Sequence, residues 1–319
     1  MRLLLVTHES HAYDPTRYTY RLVTGLAGTT DMSIAIWEKM DKPSVRAAAE
    51  EGQVDLADID VCMTYLRFRL LMLEPFDWTG FDGKRVFMEH DAWIGYSPAL
   101  PEWRGRFPAV YRRDGFDLMI ATGRNTTERL RADGVNAVWM PKGYDSTTFR
   151  DLGGDRAGVC TFGTGWPSRR ALIARLGDLV TDVSGPFTSL NERLNRHAGA
   201  VVCNMPGRPP FGKPGRAVRR VWPRFVRTWP GVEPMIKTFE VAGAGCAPIV
   251  DHQDELAELG FVDGETCLTY RDFGEAVTIV RDTGPDRLRE VGAAAAELAR
   301  SRHTWQHRAE LVPRLIEAG

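Results

Sequence analysis

Two stretches of this chain carry residue types and spacings that suit anion chemistry. The first is KTFEVAGAGCAPIV, residues 237–250, in which Lys237 and Glu240 stand three positions apart with Thr238 between them. In a helix that spacing puts both charges on one face. The helix stops at a glycine-rich turn and feeds an apolar strand. A helix start with open amides and a lysine attracts an anion, and a carboxylate one turn on accepts ribose hydroxyls. Taken alone, the same spacing also describes a surface Lys–Glu pair. The second stretch is FGTGWPSRRALI, residues 162–173. A strand, a turn through Gly163 and Gly165, and a helix bearing Arg169 and Arg170 can cradle phosphates through backbone amides. A tight strand–helix turn with two solvated arginines is the competing reading. No Gly-Lys-Ser/Thr follows, so this is not a Walker A loop.

In the N-terminal half, candidate acid–base groups follow apolar runs. His8, Glu9, Ser10 and His11 come after the first run, and His90 and Asp91 after another, in MEHDAW. Ligand crevices open at the carboxyl ends of parallel strands, so His8, His90 and Asp91 are candidates to handle an acceptor proton. No helical H-x-x-x-H spacing occurs, and no metal site is expected. The D-x-D at Asp58–Asp60 precedes a strand and reads as a solvated turn. Residues 207–231 interleave seven Arg/Lys with Phe211, Trp222, Phe225 and Trp229, and read as a surface loop, as a flap over a ligand or, least of the three, as a nucleic-acid contact.

Positioning these groups requires alternating strands and helices. Apolar runs at Leu3–Thr7, Met32–Trp37, Val61–Tyr65, Arg85–Glu89, Asp117–Thr122 and Ala137–Met140 alternate with helical patterns such as Thr16–Leu26 and Asn125–Ala132, the latter with Asn125 or Thr126 as its cap. A second series follows: Gly158–Phe162, Ala198–Cys203 and Pro248–Asp251 as strands, with helices from Phe273, Arg287 and Thr304. The expected fold class is α/β, two doubly wound Rossmann-like domains facing a cleft. The domains are expected at residues 1–143 and 144–302, with 303–319 a C-terminal helix returning to the first domain.

Length and composition agree with two domains. The chain has 319 residues, and a domain averages ~150. With 41 Lys+Arg against 42 Asp+Glu, the charge balance lacks the positive field of a nucleic-acid binder. No window approaches the ~18 apolar residues of a membrane span, so stable membrane insertion is not expected. Five scattered cysteines, never spaced C-x-x-C, fit a reducing cytoplasm.

The run PMIKTFEVAGAGCAPIVD resembles the C-terminal signature of GT-B-fold glycosyltransferases of the family-4-like clan, and most closely its spore-maturation-protein (CgeB-type) branch. Residues 138–149, VWMPKGYDSTTF, resemble the interdomain stretch of the same clan. Residues 303–311, HTWQHRAEL, resemble the branch's final helix. The resemblance covers most of residues 138–319. It implies that Glu240 bonds the nucleotide ribose and that Lys237 stands where an arginine is usual. A charge at the pyrophosphate is then kept while the bidentate fork is lost. A second glutamate, eight residues before the first in many members, is replaced here by Val232 with Glu233 beside it.

The function implied is transfer of a sugar from a nucleotide-sugar donor to an acceptor hydroxyl or amine, with retention and without a metal. Lys237, Thr238, Glu240, Gly163, Gly165, Arg169 and Arg170 would hold the donor, with His90, Asp91 and His8 on the acceptor side. No cofactor is expected beyond the substrate, a nucleoside-diphosphate sugar with UDP-sugar foremost. The expected partners are that nucleotide sugar and a small-molecule, natural-product or cell-envelope glycan acceptor. Alternatives are a non-catalytic nucleotide-sugar-binding member of the fold and a nucleotide-sugar epimerase of the same architecture.

Overall fold

A computed structural model describes residues 1–97, 100–163, 167–203 and 233–319. Gly165, Val232 and the basic aromatic segment 207–231 lie outside the described residues. The chain divides into two compact units. Residues 1–96, 102–141 and 305–319 form one, and residues 97–101 and 142–304 form the other.

The first unit is built on six parallel strands: β1 (Arg2–Thr7), β2 (Asp31–Ile36), β3 (Val61–Tyr65), β4 (Lys84–Glu89), β5 (Leu118–Ala121) and β6 (Ala137–Trp139), in spatial order β2-β1-β3-β4-β5-β6. Leu3 to Val6 are completely buried because both faces of the sheet are covered. Parallel neighbours require crossover connections, here helices such as Tyr18–Thr29, Val45–Glu51 and Arg106–Arg113. The strand order reverses between β1 and β3, which opens a crevice at their carboxyl ends. The helix Trp305–Ala318 also packs in this unit, against Tyr18–Thr29. The approach is close: a Cβ on Gly25 would lie 2.8 Å from Ala309 Cβ, so position 25 has no room for a side chain.

Among the described residues the second unit holds five parallel strands, β7 (Val159–Thr161), β8 (Val180–Asp182), β9 (Gly199–Val202), β10 (Ala247–Asp251) and β11 (Leu268–Tyr270), in order β11-β10-β9-β7-β8. Its core gathers Leu172, Val201, Ile249, Phe273 and Val291 from strands and flanking helices. Here the order reverses between β7 and β9. The Gly163 turn follows β7, so it stands at this second switch point.

One local expectation is corrected. Asn125 and Thr126 do not cap their helix, which already begins at Arg124 after Gly123. Thr126 and Thr127 are buried inside it, and Thr127 Oγ1 donates back to the Gly123 carbonyl at 2.8 Å. With both threonines buried inside the helix, no side-chain hydroxyl marks that start. Among the described residues no helix is long and apolar enough to cross a membrane.

Candidate functional site

Lys237 and Glu240 lie on the helix Ile236–Gly243, one turn apart, and Glu240 is buried. Burial pushes the Glu240 carboxyl up to about 7, against the pull of Lys237, and Asp145 nearby pushes the same way as burial. The Lys237 ammonium is lowered from its ordinary range by burial and by the positive charge of Arg169. Its Nζ sits over the Phe162 ring, 5.7 Å from the centroid. Neither the Lys237 nor the Glu240 side chain makes a hydrogen bond or close ion pair with another described residue. Thr238 between them is fully buried, and its Oγ1 has no hydrogen-bond partner among the described residues.

The Gly163 turn closes on the same helix. Gly163 has φ +101°, and a Cβ there would collide with Lys237 Nζ, so both backbone and space demand glycine. Its N–H donates to Ser184 Oγ at 3.0 Å, and its carbonyl accepts from Arg169 Nη1 at 2.7 Å. Arg169 is buried, reaches Asp182 at 3.3 Å, and leaves Nε without a partner among the described residues. Arg170, one position and ~100° of helix rotation further on, is exposed. The structure therefore brings Gly163, Arg169, Lys237 and Glu240 together and turns Arg170 to solvent.

A buried pair that the motif reading passed over lies in the same unit. Lys142 Nζ is ion-paired with Glu233, both almost completely buried, and also faces Met235 Sδ at 3.8 Å. Glu233 precedes the helix that starts at Ile236, so its direction is not governed by helical rotation. The buried Asp145 accepts from the Thr147 N–H and the Thr147 and Thr148 hydroxyls, at 2.6–2.9 Å. The signal was present in PKGYDSTTF, as a lysine, an aspartate and two threonines at turn spacing.

In the first unit, a cavity of about 270 Å³ opens at the carboxyl ends of β1, β3 and β4, with His11, Tyr65, His90 and Asp91 in its wall. His90 is buried: Tyr65 Oη lies 2.8 Å from Nδ1, and the imidazole stacks on Trp305 at 5.4 Å with planes 6° apart. Asp91 is exposed, and its Oδ1 accepts from Trp93 Nε1 at 3.2 Å. His8 turns to Glu38 and does not line the cavity, whereas His11 does. Burial, then His8, Arg67 and Arg17, push the His11 imidazole down to about 4, with a hydrogen bond to the Tyr65 carbonyl opposing them. At neutral pH His11 is uncharged. Tyr65 gave no sequence signal, because a tyrosine closing an apolar strand reads as core.

The comparisons with known proteins follow this geometry. A family described as glycosyl transferase-like matches residues 220–312, the span that carries Lys237 and Glu240. Comparison with curated proteins returns no match. Among solved structures, a sucrose-phosphate synthase from Thermosynechococcus elongatus superposes with a TM-score of 0.60 at 15% identity, over 100% of each chain. The HepE protein of Anabaena, solved with UDP and glucose, gives 0.60 at 10% identity over 100% of each. The T4 phage β-glucosyltransferase gives 0.55 at 9% identity, over 100% of this chain and 98% of the other. The fold is that of the GT-B glycosyltransferases. In this GT-B fold both doubly wound units carry their candidate groups at a switch point. Among the described residues no three His, Cys, Asp or Glu side chains are grouped to hold a metal.

Proposed function

We propose that the chain is a glycosyltransferase that moves a sugar from a nucleoside-diphosphate sugar, UDP-sugar foremost, to an acceptor hydroxyl or amine. One observation carries this reading: Lys237 and the buried Glu240 share a helix at the switch point of the second unit, with no hydrogen-bond partner among the described residues. A charged group buried without partners is destabilising. A ligand offering a diphosphate to Lys237 and ribose hydroxyls to Glu240 removes both penalties. Gly163 lets the ammonium lie against the backbone, and the Arg169 guanidinium adds positive charge beside it.

As the bond from sugar to diphosphate breaks, negative charge grows on the leaving group. Lys237 and Arg169 would stabilise that charge electrostatically, which supports transfer without a metal. Thr238 belongs to the proposed donor site, and Arg170, although exposed, remains a candidate for it. His90 and Asp91 would serve the acceptor side. Tyr65 and Trp305 orient His90, so its imidazole meets the acceptor in one geometry. Retention of configuration and membership of the CgeB-type branch rest on the resemblance of residues 138–319.

The test is calorimetry and thermal shift with UDP, GDP and dTDP sugars on the whole chain. A nucleotide present at a hundred times its dissociation constant stabilises the native state by about 2.7 kcal/mol. Release of free nucleoside diphosphate only when an acceptor is present identifies transfer. Release without acceptor, or interconversion of the sugar with none released, refutes it.

A further inference from the structure

We propose that the cavity of the first unit contains an anion subsite, at the start of the helix Tyr18–Thr29, that recognises a carboxylate or phosphate group on the acceptor. Assigning the anion to an acceptor rests on the transferase reading above; the subsite itself does not.

Thr19 is the deciding residue. It lies in the first turn of a twelve-residue helix, is 3% exposed, and lines the cavity. Its Oγ1 is buried with no hydrogen-bond partner among the described residues. A hydroxyl in that state loses its hydration without recovering a bond, a penalty that a ligand atom in the cavity removes. The helix start gives the ligand a sign. Arg17 occupies the N-cap and provides no side-chain cap, and the first turn carries the positive end of the helix dipole.

Two guanidinium groups frame the same space. Arg17 and Arg67 both line the cavity, from different elements, and both side chains are exposed and able to swing. Arg17 has a partner at its outer side, Asp14, at 3.5 Å. Burial is the main reason that His11 is held uncharged, and Arg67 and Arg17 add smaller pushes in the same direction. Glu89, His90 and Asp91 line the same cavity, and the Tyr18 ring at the helix start stacks on the His90 imidazole at 5.8 Å. The helix start with its two arginines thus adjoins the acid–base groups within one cavity. An acceptor holding its anionic group at Thr19 would extend its reactive hydroxyl or amine toward His90.

The experiment titrates the whole chain with inorganic phosphate and, separately, with acetate, at constant ionic strength and in saturating UDP, so that any diphosphate site is already filled. Thr19→Val keeps the shape and removes the hydroxyl, and Arg67→Gln removes an exposed charge with little risk to folding. Saturable binding of at least one anion is expected, roughly tenfold weaker in each variant, with UDP affinity unchanged. Phosphate alone identifies a phosphorylated acceptor, and acetate alone an acidic one. Equal anion binding in wild type and variants, or no saturable binding of either anion, overturns the proposal. If UDP itself does not bind, the donor reading fails, while the comparison of Thr19→Val and Arg67→Gln with wild type still decides the subsite.

Discussion

Lys237 Nζ occupies the space that a side chain at position 163 would need. Gly163 also holds a φ of +101°, a conformation that L residues rarely adopt. Turn and helix are thus fitted to each other by the absence of one methyl group. Gly163→Ala is expected to destabilise the fold by at least ~1 kcal/mol and to displace Lys237. Calorimetry should show UDP affinity lowered by about tenfold or more, while Ser184→Ala, which removes one hydrogen bond to the turn, should have a smaller effect.

Glu240→Gln keeps the shape of the side chain and removes its charge. Hydrogen bonds from ribose hydroxyls to an ionised carboxylate then weaken, and nucleotide binding is expected to fall by roughly 1–3 kcal/mol. Unchanged affinity for nucleoside diphosphate would remove Glu240 from the donor site.

The same residue predicts a pH effect on the ligand-free protein. Its carboxyl is raised from 4.5 to about 7, so the folded state holds this proton more tightly than the unfolded state does. The resulting stability is complete below about pH 4.5 and is lost as pH rises through 7, by about 3 kcal/mol at most. Chemical denaturation at pH 5 and pH 8 should show Glu240→Gln losing less stability over this range than wild type. UDP, by bonding the ionised form, should shrink the difference.

Alanine at His90 and, separately, at Asp91 is expected to lower turnover while nucleotide affinity stays within about twofold. Full activity in both variants would move the acid–base role to His11, which shares the cavity, or to His8, which does not.

Lys142 and Glu233 form a buried ion pair, which is costly to break from one side. Lys142→Met should destabilise the second unit by about 3–5 kcal/mol, and adding Glu233→Met should restore part of the loss. Urea denaturation of the single and double variants measures both effects.

Much of the architecture was legible because parallel strands buried on both faces read as apolar runs. Leu3–Val6, Val61–Tyr65 and Pro248–Asp251 are examples. Short elements escaped for the opposite reason. β8 is Val-Thr-Asp at the sheet edge and β11 is Leu-Thr-Tyr, too short and too polar to show a period. The KTFE helix announced its charged pair, since i,i+3 spacing is a local property. The contact of Lys237 with Gly163 was not legible, because it joins residues seventy-four positions apart through the sheet. The Tyr65–His90–Trp305 arrangement was hidden likewise, with one member on each of three distant elements.

The helix Trp305–Ala318 belongs to the same compact unit as β1 to β6, whereas residues 142–304 are continuous within the other. During synthesis the second unit has all of its strands before the last helix is made. The first must wait with the face of Tyr18–Thr29 uncovered, and His90 without the Trp305 ring, until residues 305–318 have been made. The N-terminal unit is therefore made first and finished last. Refolding watched by pulsed hydrogen exchange should show β7, β9 and β10 protected before the helix Tyr18–Thr29.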